Sequence, residues 1–271
     1  MRRSTGSEGV ITFVKRRAGS VLALGLVSML GWSMAVSASM PSWYEPDREC
    51  EQAFPLAQGN GLHITSDWLP PHATCDFGDG QVHQFISPTR STVLTIVFAL
   101  TAALTLFGLY LIIRRLTDPA GTVRSAEAVD LRRRKLRHLG IGAFLTLLIV
   151  ALFAGANVFA AFMGGPPGML IVALTATAAL SAVAAAIDRE QGPLPSTARD
   201  SHRRGAVAGC TTLATVFVVT VASGNFPFYR IWVAPVGAIT YLLVTTLQWS
   251  RNRGAGDRNA VEEDLLWGPR T

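Results

Sequence analysis

"LGIGAFLTLLIVALFAGANVFAAFMGGPPGMLIVALTATAALSAVAAAI", residues 139–187, contains no Asp, Glu, Lys, Arg or His. Its two apolar runs, 139–163 and 169–187, flank Gly164, Gly165, Pro166, Pro167 and Gly168, which break helix on both sides. About 20 apolar residues carry a helix across the ~30 Å hydrocarbon core of a bilayer. Only helices and closed barrels satisfy their own backbone there. Barrel strands alternate at period two, whereas these runs are apolar all round. The stretch therefore predicts two antiparallel membrane helices joined by a tight turn.

Outward from it lie four more uncharged runs, at 18–40, 92–113, 206–222 and 231–249. The expectation is an all-α membrane protein, a six-span helical bundle. The 271 residues are 49% hydrophobic and only 15% charged, against about 25% charge in soluble domains, and the deficit falls in these six runs. The segments between them set the orientation. The 1–17 arm has five Lys or Arg, the 114–138 loop eight, the 188–205 loop four and the 250–271 tail four. The alternate segments 41–91, 164–168 and 223–230 have two, none and one. Thus 21 of 24 basic residues fall on one side, which the positive-inside rule makes cytoplasmic. The expected organisation is a cytoplasmic basic arm (1–17), a membrane domain (18–249) and a cytoplasmic tail (250–271), in a multi-pass protein of the cell membrane. Trp43, Tyr44, Phe226, Phe228, Tyr229, Trp232 and Trp249 flank the spans as headgroup-level anchors. The +6 net charge is explained by orientation and contact with anionic lipid, and nucleic acid is not an expected partner. The first run, followed by Val36-Ser37-Ala38, also has the pattern of a secretory signal with a small-residue cleavage site. Its length favours an uncleaved span over a 7–15-residue signal core.

The 41–91 segment is the one sizeable exported loop. It carries Cys50 and Cys75, while Cys210 lies in a span and is expected to be buried. An oxidising face permits a Cys50–Cys75 disulfide, and a loop this small benefits from a staple. "TCDFGDGQVHQFI" (74–86) reads as a hairpin turning at Gly78-Asp79-Gly80. "WLPPH" (68–72) reads as extended chain. The two predict a small disulfide-pinned β-ribbon. Asp76 and Asp79 lie near His residues, but the spacing lacks the ligand ladder of a calcium loop. No metal site is expected. With "WLPPHATC" and "DFGDG", the loop resembles loops of uncharacterised multipass membrane proteins of actinobacteria. The resemblance covers about 50 residues and implies no particular activity.

Within the spans, Asn157 is read as a packing hydrogen-bonder. Gly205 and Gly209 form a small-xxx-small motif that lets backbones approach. Ala173, Ala176, Ala179, Ser181 and Ala182 make the fourth span thin and the most buried. Pro235 is read as an early kink in the sixth. No catalytic motif of the phosphate-loop, zinc-protease or nucleophile-elbow type is present, and neither an enzyme nor a cofactor is expected. Arg132, Arg133, Arg134, Lys135 and Arg137 form a lipid-facing basic cluster, with Asp130 expected to pair with Arg134. In the tail, Asn259 reads as the N-cap of a short helix with Glu262 at N3. The function expected is a non-enzymatic accessory or assembly component of the cell envelope. The alternatives are a small permease or permease subunit, or an envelope sensor. The expected partners are the bilayer and either a membrane protein or a second copy.

Overall fold

The computed structural model describes residues 18–42, 45–55, 57, 61–78, 80–117, 124, 130–226 and 229–267, with positions 115, 117 and 252–267 described for their backbone alone. The basic arm, Trp43, Tyr44, Asp79 and Phe228 lie outside them, as do the tail's side chains from Asn252 on. The chain is mostly helical. In order it forms α1 (Ala18–Ser37), α2 (Pro46–Ala53), β1 (His63–Trp68), β2 (Pro71–Asp76), β3 (Val82–Gln84), α3 (Pro88–Thr117), α4 (Leu131–Gln191), α5 (Ala198–Ala222) and α6 (Val233–Trp267). Among the described residues, four helices are long and apolar enough to cross a membrane: α1, Pro88–Arg114 of α3, α4 and α5.

The 61 residues of α4 would reach about 90 Å if straight, three times the hydrocarbon thickness. The helix instead folds back. Gly165 has φ 57° and ψ −158°, ahead of Pro166 and Pro167. A Cβ at Gly168 would lie 2.8 Å from the Ala160 carbonyl oxygen, whereas eight residues of straight helix separate by about 12 Å. Far from that tip, Arg134 Nε donates to the Gly192 carbonyl at 2.8 Å. The two legs therefore run antiparallel.

The chain divides into two compact units, Met1–Arg114 with Ala156–Leu174, and Arg115–Gly155 with Thr175–Thr271. The first contains a cap of α2 and an antiparallel sheet in the order β1-β2-β3. Cys50 and Cys75 are disulfide-bonded with Cα atoms 6.0 Å apart, fastening α2 to the central strand. The β2–β3 hairpin pairs Cys75 with His83 and turns through Gly78 and Gly80, both at positive φ. The "WLPPH" segment is not extended. Leu69 and Pro70 turn the chain so that Trp68 pairs with Pro71, and the ribbon becomes a three-stranded meander. The proline ring removes an N–H that a continuous strand would need. Asp76 Oδ1 accepts from Gly78 N at 2.9 Å, and His83 stacks on Phe54 at 4.8 Å, so both serve the turn and its core.

In the second unit, Pro235 falls in the first turn of α6, where a missing N–H costs nothing and no kink follows. The same helix continues through Asn259 to Trp267, so Asn259 is no N-cap and the tail forms no separate helix. Cys210 is exposed on α5, not buried. The helical period turns it away from the buried Gly205, Ala208 and Gly209 face.

Candidate functional site

The most concentrated buried polar chemistry among the described residues lies in the second unit, where the legs of α4 meet α5 and α6. It begins with chain reversal. Gly192 ends α4, its N–H donating to the Asp188 carbonyl at 2.7 Å. Thr197 then starts α5 with a reciprocal capping box: its hydroxyl accepts from Asp200 N, and Asp200 Oδ2 accepts from Thr197 N. The returning helix packs tightly. A Cβ at Gly205 would stand 2.4 Å from Ala185 N, and one at Gly209 2.6 Å from Ser181 N. The Gly205-xxx-Gly209 motif is thus used within the chain, against small residues of α4.

That register fixes the next pair. Asp188, 2% exposed, meets Arg204, 17% exposed. Arg204 Nε donates to both carboxylate oxygens at 3.1 Å, and Nη2 to Oδ2 at 2.9 Å. This is the bidentate fork that makes arginine the strongest carboxylate partner. Gln248 Nε2 donates to the Arg204 carbonyl at 3.1 Å, joining α6 to α5.

His138 and Trp249 complete the buried set. Trp249 Nε1 donates to His138 Nδ1 at 3.1 Å, so that ring nitrogen holds a lone pair. Trp249, 3% exposed, is therefore not a headgroup anchor. Tyr229 is not one either: it is buried against Phe153 at 4.7 Å, and burial pushes its phenol pKa up. Tyr241 is enclosed by Ala184 and Ala208, with its ring 2.3 Å from where a Gly142 Cβ would stand.

Around this centre the basic residues divide. Arg124 Nη2 donates to Ser196 Oγ at 2.8 Å and Ser201 Oγ at 2.9 Å, and Nη1 donates to the Arg189 carbonyl. Arg199 Nε reaches the Leu116 carbonyl at 3.0 Å. Arg134 is held by Gly192, as above, and not by Asp130. Asp130 instead caps α4, accepting from Arg132 N and Arg133 N, with Arg133 Nε 3.6 Å from its carboxylate. The carboxylate points at the orphan N–H groups of the first turn, which outcompetes an i,i+4 pair in water. Arg132, Arg133 and Arg137 are exposed, and Lys135 is half-buried.

Of the residues singled out by sequence, Cys50 and Cys75 meet in the cap, and Asn157 is buried in α4 within the first unit. Gly205 and Gly209 seat α5. Sequence reading stopped at Ile187 and missed Asp188, His138 and Arg204. One signal was available. Pairing Gly205 and Gly209 with Ala185 and Ser181 places Arg204 opposite Asp188. Chemically, the fork is closed and charge-balanced, a cross-link between helices. Burial, with Arg204 and Arg134 adding to it against the opposing pull of Asp188, brings the His138 pKa down to about 4, so the ring is neutral near pH 7 and serves as a hydrogen-bond acceptor for Trp249. Comparison of the chain with protein-family models, with curated proteins and with solved structures returns no match.

Proposed function

We propose that the protein spans the cytoplasmic membrane six times, with both termini inside and residues 41–91 exported, and acts as a non-enzymatic accessory or assembly component of the cell envelope. The span count is supported by the fold-back of α4, whose two legs add to α1, α3, α5 and α6. The orientation is supported by the 21-to-3 division of basic residues.

One observation carries the role. The cap does not hang from the helices. Trp32, Val36 and Met40, in and just after α1, share one apolar core with Ala73 and Ile86 of the cap and Leu94 of α3, with Trp68 and Phe85 packed against it. Trp68 also reaches the α4 turn, 2.5 Å from where a Gly165 Cβ would stand. A folded surface fixed to membrane helices suits docking another component better than it suits a sensing tether. Crosslinking in native membranes followed by mass spectrometry is the test. The reading requires a stable protein partner crosslinked to 45–86. Solute uptake by the pure protein in liposomes would sink it.

A further inference from the structure

The first leg of α4 presents two faces of opposite character. His138, Gly142, Thr146, Val150, Phe153 and Ala154 are buried. Opposite them, Arg133, Arg137, Ile141, Phe144, Leu148 and Leu152 are exposed. The exposed set steps by three or four residues and therefore lies along one stripe of the helix. Its two charged members come first and its apolar members follow without interruption. Phe144 is 66% exposed and Leu152 64%, values a water-facing stripe would not sustain at consecutive turns.

We propose that this stripe is a binding surface for a single anionic phospholipid, its phosphate held by Arg133 and Arg137 and an acyl chain laid along Ile141, Phe144 and Leu148. Three observations select it. The neighbouring arginines 124, 134, 199 and 204 already donate to protein acceptors, whereas Arg137 is exposed and Arg133, among the described residues, makes a surface contact to Asp130 with both side chains more than half exposed. The rise of 1.5 Å per residue puts Arg137 about 6 Å and Arg133 about 12 Å before Ile141, spanning headgroup depth. Guanidinium groups one turn apart bring two positive charges to one phosphate. The charge complementarity is with lipid, because the adjoining surface is hydrocarbon-like and not polar. The surface rests on the membrane reading above but not on its orientation.

The test is native mass spectrometry of the full chain released from nanodiscs of equal phosphatidylglycerol and phosphatidylcholine. The wild type should retain phosphatidylglycerol in preference. Arg133→Gln with Arg137→Gln should cut that preference by about 25-fold, roughly fivefold for each group. Arg133→Lys with Arg137→Lys should keep most of it, showing that the fold is intact and charge is read. Equal retention of the two lipids by wild type would overturn the proposal. So would an unchanged preference in the Gln variant, or a dimer peak lost on substitution, which would make the occupant a second copy. Both lipids occupy both leaflets of a nanodisc, so an inverted topology would leave this result unchanged.

Discussion

The cap of the first unit and the polar cluster of the second solve one problem by different means. Each must fix short, polar-rich chain against apolar helices. The cap, too small for a large core of its own, uses a covalent staple, a strand ladder and the apolar ends of its helices. Its described ion pair, Arg48 with Glu45, is 72% and 56% exposed at the two side chains and contributes little in water. The cluster uses the same chemical pairing where water is excluded, Asp188 with Arg204. There the pair need not add net stability, yet losing one partner strands a buried charge. Burial, not residue type, decides which ion pair matters.

The largest effect should come from splitting the buried pair. Arg204→Met or Asp188→Ala alone should cost about 3–5 kcal/mol, read as a lowered unfolding midpoint in detergent. Asp188→Leu with Arg204→Met should recover most of it. Two equally mild single variants would erase the contrast with the cap. Next comes the staple. Closing 25 residues predicts a loss of about 3–4 kcal/mol in cap stability for Cys50→Ser. Proteolysis from the outer face of spheroplasts should open new sites between residues 51 and 74 while the spans stay inserted. In the wild type these cysteines should resist alkylation until reductant is added. A smaller effect, about 1–2 kcal/mol, should follow Trp249→Phe, which leaves His138 Nδ1 buried without its donor; thermal melts of the two proteins side by side would measure it. At the bottom, Glu45→Ala should lie within about 0.5 kcal/mol of wild type. A larger change would mean that the cap's surface charges are coupled to its core.

The parts legible in the sequence are those whose cause is local. Uncharged length marks the helices, Gly164–Gly168 marks the reversal of α4, and Gly78 and Gly80 mark a turn. The Cys50–Cys75 bond was legible because it is the one pairing that compartment and span assignment allow. What escaped depends on partners distant in sequence or on where a helix begins. Pro235 is harmless because α6 starts two residues before it, a boundary that hydropathy places only loosely. Trp249 had an anchor's position but finds an imidazole 111 residues away. Arg134 had a carboxylate one turn back, and folding offered it a carbonyl 58 residues on. Cys210 shows that lying in a span and being packed by protein are different things, since one side of such a helix faces lipid.

Orientation is the claim on which the envelope role rests, and cysteine labelling in intact cells tests it most directly. Asp67→Cys and Arg133→Cys, both at exposed positions, are each treated with a membrane-impermeant maleimide before and after permeabilisation. The account predicts immediate labelling at 67 and labelling at 133 only after permeabilisation. Labelling at 133 in intact cells, with 67 protected, would contradict it.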